Sequence, residues 1–318
     1  MNSAQFADIT LKDKEIIDEY LRKYGALSYF HDFGTLYLWR DYYGIQIAET
    51  EGCLVVKTKD GYLFPLGEHP EKAMEVLSGE PAVFVHLDNN QKTSIDSAFP
   101  SRFSFENDRD SENYIYRTEM LATLPGPHYQ EERRKNHRFE RENADFSIET
   151  VSKDILPECR ELYRKWREKR LSDMESAADS SSVSSDSGPL SGNLPSASSE
   201  NLSFEADSKA MEECFELYEE LGFIGVALRI GGKIKAFDIA EKMPVGNCLD
   251  LHFEKADGDV RDIYPALRKA FAGYVFSEYP EIEYINFEDD MGVPGLRNWK
   301  TQYRPDQMWP SITAKLKP

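Results

Sequence analysis

The sequence has few cysteines and no pairing pattern among them. Cys53, Cys159, Cys214 and Cys248 are the four in 318 residues, with no CxxC pair. That excludes a disulfide scaffold and a cysteine zinc site, and it suits a reducing compartment. Long apolar runs are also missing: no stretch approaches the ~20 residues of a membrane helix, so stable membrane insertion is not expected. The N-terminal MNSAQFADITLKDKEIIDEY lacks the basic and apolar regions of a signal peptide. The expected location is the cytoplasm. Positive charge is scarce, with 38 Lys and Arg against 57 Asp and Glu and a net charge of -19. A field of that sign repels phosphates at long range, which argues against a DNA-binding or nucleic-acid coat role. No GxSxG, HExxH, P-loop or GxGxxG pattern occurs, so hydrolase, kinase and dehydrogenase chemistries lack support.

What is present is enough for real cores: 40% hydrophobic and 12% aromatic residues. The length exceeds the ~100–150 residues of one domain, so two units are expected. Apolar spacing predicts helices over 11–24, 70–77, 127–143, 154–171 and 207–221. Short strands are predicted at 45–48, 54–57, 62–64, 82–86 and 146–151. Strands at 224–230, 234–241 and 248–253 alternate as an antiparallel set, joined by turns at Gly231-Gly232 and at 244–247. A helix with Pro265 in its first turn, a strand at 283–287, a short helix at 294–300 and a last strand at 308–313 follow. Residues 172–206 are rich in Ser, Gly and Pro, and composition predicts a disordered insertion there, a passive linker or a phosphorylation target.

Three segments carry a resemblance: YIYRTEMLATLPGPHYQEERRKNHRFERE (114–142), LHFEKADGDVRDIYPALRKAFA (251–272) and YINFEDDMGVPGLRNWKTQYRP (284–305). Their order and spacing resemble soluble relatives of the phosphatidylglycerol lysyltransferase C-terminal domain. That family implies an α/β (α+β) fold of two tandem GNAT-like units, with mixed, mostly antiparallel sheets flanked by helices, similar to Fem-type aminoacyltransferases. The units are expected at 1–125 and 126–318. The implied reaction is acyl or aminoacyl transfer, with aminoacyl-tRNA as a donor and an amine or hydroxyl as acceptor. Gly126-Pro127-His128 departs from the family pattern, where a basic pair follows the Gly.

Acyl transfer needs a polarised carbonyl, a deprotonated acceptor and close placement of the two. In GNAT enzymes a Gly-rich loop at a helix N-terminus seats the acyl-CoA pyrophosphate. The equivalent stretch here, 256–261, has one Gly and two acids. Asp257 and Asp259 disfavour acetyl-CoA and read better as helix N-caps. No cofactor is assigned. His252 and Glu254, two apart on a strand, share a face and form an acid/base pair or a solvated strand end. Glu254 or Asp289 is the candidate base, and Tyr303 lies close in sequence. Asp289 and Asp290 read as an amine-recognition site or a helix cap, and no second acidic cluster has metal-ligand spacing. Arg297 and Lys300 share a helix face and hold a donor's anionic groups or line an exposed surface. Arg133, Arg134 and Arg138 belong to a basic helix that contacts a tRNA end or a lipid phosphate, or forms internal salt bridges. The other reading is a non-catalytic module that binds a small amine or amino acid.

Overall fold

The computed structural model describes the backbone of residues 4–25, 30–78, 82–181 and 197–317. Within them the first half runs β1 (Ala7–Asp8), α1 (Lys14–Tyr24), α2 (Phe33–Leu38), α3 (Arg40–Tyr43), β2 (Gln46–Thr50), β3 (Cys53–Thr58) and β4 (Gly61–Tyr62). It continues through α4 (Pro70–Leu77), β5 (Val83–Leu87), α5 (Asn89–Ala98) and β6 (Phe103–Asn107). The second half begins β7 (Asn113–Arg117), α6 (Thr118–Thr123), α7 (Gln130–Glu142), β8 (Ser147–Thr150), α8 (Leu156–Ser181) and α9 (Ala197–Leu217). Then come β9 (Ile224–Ile230), β10 (Lys233–Lys242), β11 (Cys248–Ala256), α10 (Ile263–Glu278) and β12 (Tyr284–Asn286). Last are α11 (Pro294–Gln302), β13 (Gln307–Trp309) and β14 (Ile312–Leu316).

These elements form two seven-stranded mixed sheets flanked by helices, the two-sheet α/β architecture expected. The orders are β1-β2-β3-β4-β5-β14-β6 and β13-β7-β12-β11-β10-β9-β8. The sheets do not divide at 125/126. Strand β7 precedes that point yet pairs with β12 and β13, and the C-terminal β14 returns to lie between β5 and β6. The single last strand expected at 308–313 is two strands in two sheets. Pro310, which has no N–H to donate to a ladder, lies in the break.

The Ser-rich expectation also changes. Helix α8 continues to Ser181 and α9 begins at Ala197, so both flanks of 172–206 are helical, while 182–196 lie outside the described residues. Alternation on the second sheet fixes its two faces. Val226, Ala240, Leu249 and Leu251 pack with Phe271 and Val275 of α10. Ala227, Phe237, Ile239 and Phe253 pack with α8 and α9. This second core also takes in Ile17, Phe33 and Leu36, so α1 and α2 of the first half share one apolar interior with the second sheet.

Candidate functional site

In the second sheet, the parallel pair is where the site opens. Strand β11 has nine residues and β12 three, and their register covers only Cys248↔Tyr284, Leu249↔Ile285 and Asp250↔Asn286. Beyond Asp250 and Asn286 the two strands no longer pair with each other, which leaves a notch between their continuing ends. Glu288, Asp289 and Asp290 occupy one wall. The backbone there is bent, with positive φ at Glu288, Met291 and Gly292, the kind of sparsely populated conformation that gathers at functional sites.

On β11 the expected pairing of His252 with Glu254 does not occur. Ile239 opposes Phe253 but Ala240 opposes Leu251, so His252 is an extra, unpaired residue in a β-bulge. A bulge breaks the period of two. His252 therefore shares a face with Phe253, and Trp39 packs on both rings. Glu254 is turned to the opposite face, toward α10.

On the His252 face the surroundings are acidic. Nε2 lies 3.5 Å from Glu241 Oε2 and 3.7 Å from Asp32 Oδ1, and Nδ1 lies 3.5 Å from Glu288 Oε1. Asp32 stands at the N-cap of α2, where its carboxylate accepts the Thr35 N–H at 2.7 Å. Asp250, opposite Glu241 in the ladder, completes the group. Burial raises the Asp32 carboxyl to about 7, with the Glu241 charge adding and His252 opposing. Asp250 is pushed well above its ordinary value by burial and by the Asp32 charge. Burial acts to lower His252, but the Glu241 and Glu288 carboxylates 3.5 Å away and the nearby Asp charges outweigh it, so the imidazolium is favoured. Asp32, Asp250 and His252 present metal-ligand atoms within 4.8 Å of one another, a set hidden in sequence by the distance of Asp32 from the other two.

Close approach here depends on Gly34. Its N–H donates to Glu241 Oε2 at 2.7 Å, and a Cβ at this position would sit 2.0 Å from that oxygen and 3.1 Å from His252 Nε2. Gly34→Ala is expected to displace the Glu241 carboxylate and lower stability by about 1–3 kcal/mol, read by urea unfolding.

Most other expected site residues are tied to one another. Asp290 is fully buried and accepts two bonds from Arg297, at 2.9 and 2.7 Å, one from Tyr114 at 2.5 Å and one from the Gly292 N–H at 3.0 Å. Burial works to raise Asp290, but Arg297 and Tyr114 prevail and hold it below the usual carboxylate range. The guanidinium of Arg297 also reaches Asp110 at 2.6 Å, so Asp290 and Arg297 neutralise each other. Neither acid caps α11, whose N-cap is Val293. Lys300 is buried and donates to the carbonyls of Phe287 (2.5 Å) and Asp289, so it braces the loop. Burial lowers its amine, against the pull of Asp289.

On the α10 face, Glu254 accepts two bonds from Arg268, at 2.6 and 2.5 Å, and Arg268 stacks 3.6 Å from the Trp299 ring centre. Tyr303 donates to Glu132 at 2.7 Å. Burial raises its hydroxyl far from neutral pH. Arg133 holds the Leu124 and Gly126 carbonyls, and Arg138 pairs with Asp262 at 2.5 Å. Arg134 is exposed and lies 2.7 Å from Glu131. The acids of the 256–261 loop are not caps. Asp257 pairs with Lys235 and Asp259 with Lys169, while α10 starts after Asp262.

Asp289 is different. It is half-buried, among the described residues its carboxylate accepts the Met291 N–H at 3.2 Å, and burial raises it to about 7, with Lys300 opposing and Glu288 adding.

Comparison with known proteins now bears on this geometry. The model for "Phosphatidylglycerol lysyltransferase, C-terminal" matches residues 22–315. The chain belongs to the phosphatidylglycerol lysyltransferase C-terminal family. A conserved protein of unknown function from Bacteroides thetaiotaomicron is 26% identical over 99% of this chain and 100% of its own, with TM-score 0.83. L-PGS from Bacillus licheniformis is 15% identical over 96% of this chain and 92% of its own, with TM-score 0.61, a likeness of fold. The C-terminal domain of a putative lysylphosphatidylglycerol synthetase from Agrobacterium fabrum is 13% identical over 96% and 92%, with TM-score 0.60. No curated protein matches by sequence. The three segments that resemble the family contribute adjacent strands, β7, β12 and β11, so the family pattern surrounds the notch. Among the described residues no helix is long and apolar enough to cross a membrane.

Proposed function

We propose that the chain is an acyltransferase of the aminoacyl-transfer type, with Asp289 as general base at the notch between β11 and β12. The observation that carries this reading is the Asp289 carboxyl: half-buried, lightly bonded and raised to about 7 among charged groups that are otherwise paired. A base acts best when its pKa lies near the working pH. The acceptor's N–H or O–H gives its proton to Asp289 as its lone pair attacks the donor carbonyl. The C–O bond to the donor's ester oxygen then breaks, and that oxygen leaves with a proton.

The donor that fits is an aminoacyl ester such as aminoacyl-tRNA. Glu288, Asp289 and the acids behind them favour a donor carrying an ammonium group and repel the pyrophosphate of an acyl-CoA. The acceptor is an amine or hydroxyl compound. The exposed Arg134 is the member of the basic helix best placed for a phosphate of the donor, since Arg133 and Arg138 brace the fold.

The test incubates the full chain with a labelled aminoacyl-tRNA pool and a panel of amine and hydroxyl acceptors, and follows acyl transfer. Below pH about 7 the rate is expected to rise tenfold per pH unit as Asp289 ionises, then level off. Transfer that is absent for every donor, with saturable binding of a small amine, would instead assign a binding module.

A further inference from the structure

We propose that Asp32, Asp250 and His252 form a binding site for one divalent metal ion, independent of the transfer reading. The three side chains are fully or nearly fully buried, and their ligand atoms come from the start of α2 and from β11. Proximity alone would not suffice, because buried acids can share a proton. The second observation is that both oxygens of Asp250 and both ring nitrogens of His252 lack a hydrogen-bond partner. A buried carboxylate without donors is costly unless it is neutralised, paired or coordinated. Among the described residues no lysine or arginine forms an ion pair with Asp32 or Asp250; the partner recorded is His252. The neighbours Glu241 and Glu288 are themselves acids and Lys14 reaches only Glu241, at 3.8 Å, so the His252 ring faces more carboxylate charge than it can neutralise and a divalent ion would supply the rest.

The orientation of His252 fits coordination. Its Nδ1 faces Glu288 Oε1 at 3.5 Å, and its Nε2 faces Asp32 Oδ1 at 3.7 Å and Glu241 Oε2 at 3.5 Å. Metal-binding histidines commonly give one ring N–H to an outer carboxylate and direct the other nitrogen at the ion. Here Glu288 would take that N–H and Nε2 would meet the ion with the two aspartates, while Glu241, held by Gly34, stands beside as a further oxygen donor. Two carboxylates and an imidazole suit Mn²⁺, Fe²⁺ or Zn²⁺ rather than a thiolate-seeking ion. The Glu288 side chain is 27% exposed and marks the route from solvent. An ion there would clamp α2 of the first half to β11 of the second.

The full chain, freed of metal by chelation, is titrated with Mn²⁺ and followed by electron paramagnetic resonance. The expected result is saturable binding of one ion per chain, with spin-echo modulation from one imidazole nitrogen. Glu288→Gln should weaken binding by roughly 10–100-fold, and Asp250→Asn by more. Asp250→Asn conserves volume and removes a buried charge, so it is expected to fold. If it does not, the nitrogen modulation of the native chain and its loss in His252→Gln decide. No saturable Mn²⁺ binding, no nitrogen modulation, or native affinity in Asp250→Asn would each overturn the site.

Discussion

Asp289→Asn is expected to lower the transfer rate by roughly 10²–10⁴-fold, the usual contribution of a positioned base. The substitution isolates the proton acceptor. Asparagine keeps an oxygen for the Met291 N–H, and the bond from Lys300 goes to the Asp289 backbone carbonyl, which is unchanged. The variant should also lose the rise in rate below pH about 7, because the group that titrates there is gone. The sign of its effect on stability is opposite to its effect on rate. A carboxyl raised in the folded state makes ionisation a cost to folding above the unfolded value, so stability falls as pH rises toward about 7. Asp289→Asn removes that cost and is expected to be no less stable than the native chain at pH 8. A native rate with the native pH slope in this variant would move the base elsewhere in the notch.

The reasons this base is distinguished from its neighbours were only partly legible in the sequence. The acid run 288–290 stands out at a strand end, and Arg297 and Lys300 stand out on the next helix. What sequence spacing does not reveal is which charges use each other up. Asp290 and Arg297 are seven residues apart and form a two-bond pair, while Lys300 turns to two backbone carbonyls. Strand periodicity places His252 and Glu254 on one face, and one inserted residue in the β10–β11 register reverses that. Asp32 is not legible in the sequence for another reason. Helix α2 buries Phe33, Gly34, Thr35, Leu36 and Leu38, so it shows no single apolar stripe, and periodicity has nothing to detect. Amphipathic α1, which buries Ile17 and Leu21 on one side, and the β9–β10 hairpin at Gly231-Gly232 were visible because each has a wet face or a required turn. The legible signal is two isolated acids in apolar strands, Asp238 and Asp250. An acid at an inward position of a strand such as LDLHF needs a partner or a proton.

Arg268→Met is expected to destabilise the fold by about 3–5 kcal/mol, measured by urea unfolding, because it strands a buried carboxylate. Glu254 has its two oxygens on Arg268, and the Arg268 guanidinium is 8% exposed in its side chain against 14% for Glu254. Across the ladder from Glu254 lies Asp238, fully buried and without a hydrogen-bond partner. Burial, and then the Glu254 charge, pushes Asp238 well above its ordinary value, with Arg268 opposing. Removing Arg268 therefore leaves two acids facing each other in an apolar layer, with Trp299 deprived of its stacked cation. The penalty comes from the orphaned charge rather than from lost attraction, since a buried ion pair contributes little net stability against an apolar replacement. The double variant Arg268→Met with Glu254→Leu should then recover most of the loss, even though it lacks both partners. Recovery would identify Glu254 as a structural carboxylate and leave Asp289 as the acid free for chemistry. A double variant no more stable than Arg268→Met alone would mean that the pair stabilises the α10 face directly.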